Sequence, residues 1–120
     1  MNRVFVYGSL KKDYGNHSYV EKSEFIGKAK TLPIFTMISY GFFPACLING
    51  KTEISGEVYD VTDSILSRMD RLEGVPNHYQ RIRCITTLGE AWIYVMKDDV
   101  LRNAKNIPII ETGFWQPPLR

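Results

Sequence analysis

A carboxylate stands where a hydrophobe belongs. With residues 63–73 wound at about 100° per residue, Ile65, Leu66, Met69 and Leu72 form one apolar stripe. Glu73, four residues after Met69 and seven after Leu66, falls inside that stripe, whereas Ser64, Ser67 and Arg71 fall opposite. The stripe must face a core, so the carboxyl goes with it. Its place in the last turn also sets it against the negative end of the helix dipole, and both dipole and burial favour the protonated form. Such a group is suited to accept and return a proton near neutral pH. The competing reading is a frayed last turn, with Glu73 partly exposed and paired with Arg68 or Arg81; the helix alone leaves both open.

The second feature is a strand that runs into Tyr7-Gly8-Ser9-Leu10. A strand followed by Gly-Ser and a loop can turn successive backbone N–H groups toward one point, a nest that suits a carboxylate. Gly8 lets a ligand approach the backbone closely, and Ser9 adds a hydroxyl donor. The alternative is an ordinary turn, with Lys11-Lys12 a solvated pair. The segment lacks the second glycine and the Gly-Lys-Ser/Thr ending of a P-loop, which argues against ATP chemistry.

These two features need elements to position them. Val4 to Tyr7 reads as a buried strand ending at Gly8, and Asn16 as the cap of a short helix through Glu24. Strands are expected at Phe25–Lys30, Ile34–Tyr40 and Ala45–Ile48, with Asn49-Gly50 a hairpin signal and Glu53–Val61 the returning strand. Thr62 or Asp63 caps the helix that stops at Gly74. Tyr79–Thr87 and Glu90–Met96 form a hairpin hinged near Gly89, and Ala91–Met96, apolar on both faces, belongs in the sheet centre. After Asn103 the chain is less regular, yet Ile107, Ile109, Phe114 and Trp115 call for packing across one end of the sheet, and Pro117-Pro118 prevents further helix. The fold class is therefore α+β, a small, strongly curved or barrel-like mixed sheet with two main helices.

Composition narrows the partners. The 120 residues, 44% hydrophobic, suit one domain spanning residues 1–120. A net charge of +2, with no basic block, does not suggest nucleic acid. The four-residue apolar run near the N-terminus is too short for a signal or membrane segment, and Cys46 and Cys84 read as buried thiols, so a cytoplasmic protein is expected. Oligomeric state is not legible.

Three segments together resemble the gamma-glutamylamine cyclotransferases and the wider gamma-glutamylcyclotransferase-like family: Val4-Phe5-Val6-Tyr7-Gly8-Ser9-Leu10-Lys11 with Asn16-His17; Gly56-Glu57-Val58-Tyr59-Asp60-Val61; and Met69-Asp70-Arg71-Leu72-Glu73-Gly74 with His78-Tyr79-Gln80-Arg81. The resemblance covers residues 3 to 96 and agrees more loosely beyond, through Gly113 and Trp115. It implies an intramolecular aminolysis, in which the α-amine of a γ-glutamyl group attacks its own γ-carbonyl, closing 5-oxoproline and expelling an amine. It assigns Glu73 as general acid/base and Tyr7, Gly8, Ser9 and Leu10 as the loop holding the glutamyl part, with a small γ-glutamyl substrate and no cofactor or metal. The match leans toward the γ-glutamylamine branch. Because the substrate supplies its own nucleophile, no Ser-His-Asp or Cys-His arrangement is needed. Tyr79 is a weaker candidate for the site. A rival reading is a catalytically silent module of the same fold that binds a small carboxylate; a β-rich nucleic-acid binder is disfavoured by the mixed charge.

Overall fold

The first strand, β1 (Asn2–Val6), is buried on both faces from Val4 to Val6, and a strand of that kind belongs in the middle of a sheet. In the computed structural model, which describes residues 1–8, 10–12, 15–40, 43–97 and 107–116, it lies there. There follow β2 (Glu24–Lys30), β3 (Phe35–Tyr40), β4 (Phe43–Ile48), β5 (Ser55–Val61), α1 (Asp63–Leu72), β6 (Tyr79–Thr86) and β7 (Gly89–Met96). The five-stranded sheet has the order β2-β5-β1-β7-β6. Its β1–β7 pair is parallel and the others antiparallel, while β3 and β4 form a separate hairpin.

Alternation along β1 divides the interior in two. Val4 and Val6 join a core with Leu66 and Met69 of α1 and Tyr94 and Met96 of β7. Phe5 and Tyr7 point the other way, to Phe35, Met37 and Cys46 of the hairpin and to Ile93 and Val95. The central position expected for Ala91–Met96 is observed: β7 sits between β1 and β6, and its residues 93–96 are all buried.

Several expectations are corrected. Among the described residues there is one α-helix, not two. Asn16 makes no side-chain cap bond, and the segment after it is only a 3-10 turn, His17–Tyr19. Val20 is the sole buried residue between positions 16 and 24. One anchor does not stabilise so short a helix, and Glu24 instead extends to pair with Asp60. The sheet is also not a closed barrel. Its edges, β2 and β6, meet at a single Thr31–Thr86 bridge, next to which the Thr87 N–H reaches the Lys30 carbonyl at 2.9 Å.

The Asn49-Gly50 turn forms, with Asn49 at a φ of 80°, but it does not make β4 and β5 a hairpin. β4 is already paired with β3. The Gly50 and Thr52 N–H groups bond back to Ile34 and Phe35, carrying the chain past β3 before β5 enters between β1 and β2. In the tail, Trp115 is buried and Ile109 bridges Ile38, yet Ile109 and Phe114 are substantially exposed. Asn103 and Pro117-Pro118 lie outside the described residues. Among those described, no helix is long and apolar enough to cross a membrane.

Gly74 ends α1 at a φ of 67°, and a Cβ there would meet the Cβ of His78 at 3.1 Å. Gly74→Ala should cost about 1–2 kcal/mol in urea unfolding. Gly15→Ala, where an added Cβ meets nothing within 4 Å, serves as the control; equal costs at the two positions would contradict this account of the helix end.

Candidate active site

α1 begins at Thr62, whose side chain accepts the Ile65 N–H at 3.2 Å. It buries Leu66 and Met69 and reaches Glu73 as its C-cap. The end is a Schellman arrangement: the Gly74 N–H bonds to the Arg71 carbonyl at 3.2 Å and the Val75 N–H to Asp70 at 3.0 Å. The last turn therefore holds, and the Glu73 N–H itself bonds to Met69. Burial pushes the Glu73 carboxyl up to about 7. Among the described residues no cation forms an ion pair with it; Arg81 is taken by Asp70 in a two-pronged contact at 2.8 and 3.2 Å, and Arg68 stands over the Tyr19 ring.

The loop after β1 is clamped at its start by Tyr7. The Tyr7 hydroxyl donates to the Tyr94 carbonyl at 2.7 Å and accepts the Cys46 N–H at 3.2 Å, joining β1, β7 and β4. Burial raises its proton affinity well above the usual phenol range, so it stays a donor. Gly8 lies against Pro44, with a hypothetical Cβ only 3.0 Å from its ring. The glycine is thus needed for packing against Pro44. Leu10 is buried and its carbonyl meets His17 Nδ1 at 3.0 Å. Beyond it the Lys11 N–H turns back to the Gly8 carbonyl and the Lys12 N–H goes to Glu57, so any nest is confined to Gly8–Leu10. Ser9 lies outside the described residues. Lys11, read from sequence as half of a solvated pair, is buried, because its ammonium donates to the Trp115 carbonyl at 2.8 Å.

One cavity of about 270 Å³ brings these parts together: Tyr7, Gly8 and Leu10 on the loop side, Leu72 and Glu73 at the end of α1. Tyr79, the weaker candidate, also lines it, with its hydroxyl donating to the Pro44 carbonyl at 3.2 Å. Asn16, His78 and Tyr94 line it as well. Sequence reasoning treated Tyr94 as core alone. Its hydroxyl donates to Asp70 Oδ1 at 2.7 Å, and burial together with that carboxylate keeps it protonated. Asp70 is in turn held by Arg81, whose guanidinium stacks on Trp92 at 4.2 Å. The available signal was Asp70 one helical turn before Glu73, on the side facing β6 and β7.

The open mixed-sheet fold recurs in solved proteins. A mouse AIG2-like protein superposes with a TM-score of 0.81 at 24% identity, covering 97% of this chain and 88% of that one, which shows the shared fold. The solution structure of Escherichia coli ytfP gives 0.73 at 30% identity, covering 94% and 95%. In sequence, the Escherichia coli gamma-glutamylcyclotransferase family protein YtfP is 30% identical over 94% of this chain and 95% of its own length. A Vibrio cholerae protein assigned as a candidate gamma-glutamylcyclotransferase is 35% identical, with 93% of each chain covered. Residues 4–117 match the family described as gamma-glutamyl cyclotransferase, AIG2-like, and the chain belongs to it.

The raised Glu73 carboxyl has a consequence for stability. Between about pH 4.5 and 7 the folded chain keeps a proton that the unfolded chain has released, so Glu73 makes stability fall as pH rises through that window. Glu73→Gln should match wild type below pH 4.5 and exceed it by up to about 3 kcal/mol above pH 7. Urea unfolding across pH 4 to 8 measures this; a difference that does not vary with pH would contradict the burial of this carboxyl.

Proposed function

We propose that the chain is an enzyme that releases 5-oxoproline and a free amine from a small γ-glutamyl compound, with Glu73 as general acid/base. The observation that carries this reading is the half-buried Glu73 carboxyl, with no ion pair among the described residues, in the same cavity as Tyr7, Gly8 and Leu10. In the reaction, the substrate's α-ammonium gives a proton to the Glu73 carboxylate. The freed amine attacks the γ-carbonyl carbon, forming the ring C–N bond. Collapse breaks the bond to the leaving nitrogen, which takes the proton back from Glu73, while the ring nitrogen sheds its second proton, so that the products are neutral-ring 5-oxoproline and an amine that leaves as its ammonium ion. An ordinary glutamate, near 4.3, is a weak acceptor for an α-ammonium near 7.7 to 8, and each unit of mismatch costs about 1.4 kcal/mol. A carboxyl near 7 nearly closes that gap.

The loop fits the glutamyl end. In this reading the backbone N–H groups of the Gly8–Leu10 loop, with the Ser9 hydroxyl, would take the α-carboxylate, and the Tyr7 hydroxyl ties the start of that loop to β7. Holding amine and carbonyl in a near-attack geometry is worth about 7 kcal/mol or more. The whole chain acts as a single domain in this reading. Cytoplasmic placement is favoured by Cys46 and Cys84, free thiols that are both buried. Within the substrate class, γ-glutamyl amines are preferred over γ-glutamyl α-amino acids on the resemblance of the Tyr-Gly-Ser-Leu and Asn-His segments. A silent carboxylate-binding module is the weaker alternative, since binding alone gains nothing from a poorly solvated base.

Glu73→Gln separates catalysis from binding. With a panel of γ-glutamyl amines and γ-glutamyl amino acids and 5-oxoproline read by mass spectrometry, kcat should fall by about 10² to 10⁴ with KM little changed. Turnover by wild type should rise with pH through about 7, as Glu73 becomes able to accept a proton. Wild-type turnover in Glu73→Gln would remove Glu73 from the mechanism, and ligand binding without turnover in wild type would favour the silent module.

A further inference from the structure

Beside the candidate active site, on the other side of the same loop, lies a larger cavity of about 490 Å³ that the proposed reaction does not use. Its position follows from topology. β1, β5 and β2 are successive antiparallel neighbours, so the C-terminal ends of β1 and β2 and the N-terminal end of β5 meet at one end of the sheet. Lys11 and Lys12 come to this cavity from the loop, Lys28 and Lys30 from β2, and Ser55 and Thr87 add hydroxyls.

Among the described lining residues four lysines face one acid, Glu57, whose Oε1 accepts the Lys12 N–H at 2.8 Å and the Tyr59 hydroxyl at 3.0 Å. Glu53 reaches Lys30 at 3.5 Å, but both side chains are about half exposed, and such a pair is worth too little to resist a multiply charged competitor. Lys11 differs from the rest. Only 3% exposed, it is held by the Trp115 carbonyl and lies 4.2 Å from the centre of the Phe114 ring; burial lowers its proton affinity while the Glu57 carboxylate favours its charged form. Lysines on an edge strand often serve to block pairing with another sheet. That role accounts for Lys28 and Lys30, but not for the two lysines that a separate loop delivers to the same hollow.

We propose that this cavity binds a small molecule bearing several anionic oxygens, with the chemistry shared by polyphosphates and tricarboxylates. A charged polymer is a poorer fit, because the chain carries a net charge of only +2 and the lysines line a hollow, not a stripe. Ser55 and Thr87 would supply hydrogen bonds to oxygens that the lysines do not reach. The proposal is independent of the cyclotransferase reading, since it concerns a different cavity and a binding measurement.

Isothermal titration calorimetry on the full chain at low salt tests it, with inorganic tripolyphosphate and citrate as separate probes. At least one should bind with one-to-one stoichiometry and weaken as salt is added. Lys28→Glu with Lys30→Glu, and separately Lys12→Glu on the loop, should each weaken binding by about tenfold or more. Lys22→Glu with Lys51→Glu, at exposed lysines outside the cavity, should change it by less than about twofold. A phosphate-only or citrate-only response identifies the oxygen chemistry the cavity prefers. No binding of either probe, or equal weakening by the outside pair, would overturn the proposal.

Discussion

Everything proposed for this site depends on shielding one carboxyl from most of its water without giving it a cation. Burial alone raises Glu73, and an arginine in contact would undo that by favouring the charged form. The fold has an arginine within reach of the same helix, and it is spent elsewhere: Arg81 is fixed by Asp70 on one side and by the Trp92 ring on the other. Tyr94 shares Asp70 with it, so the neighbouring negative charge is doubly engaged and contributes little to Glu73. The net result is a carboxyl whose proton affinity is raised by burial and not by a partner.

The helix end makes this possible. A stripe of Leu66 and Met69 pulls α1 onto the sheet, and the helix runs on to Leu72 with Glu73 as its cap before Gly74 turns the chain away. Glu73 is therefore the last residue that the apolar stripe can carry inward. Across the cavity, the start of the loop is set by a tyrosine whose hydroxyl bonds to two other strands, so both walls are built on hydrogen-bonded backbone. Rigid walls suit a reaction whose main requirement is folding a substrate back on itself.

Much of this was legible in the sequence, for reasons that differ by element. The α1 boundaries and the central place of β7 are local patterns: a cap residue, a 3.6-residue stripe, a glycine stop, and a run apolar on both faces; the same stripe raised an inward Glu73 but could not decide it against a frayed last turn. The Tyr7–Leu10 loop was legible as a turn, and its meeting with Glu73 only through the family resemblance. What failed depended on contacts between distant segments. Asn16 offered a helix cap, but only Val20 beside it found a core, so the second helix did not form. Asn49-Gly50 correctly marked a turn, yet a turn signal carries no information on which strand has already taken a partner. Tyr94 and the buried Lys11 were unreadable because their roles come from Asp70 and Trp115, 24 and 104 residues away.

The central claim is that Glu73 is an uncharged or nearly balanced carboxyl at neutral pH in the free protein. Carbon-13 NMR of the side-chain carboxyl groups, assigned through Glu73→Gln and titrated from pH 3 to 9, reads that directly. The account predicts a Glu73 resonance with its midpoint near 7, well separated from the other glutamates. A midpoint near the ordinary 4.5 would contradict it, because the carboxyl would then be a solvated surface charge with no advantage as a base.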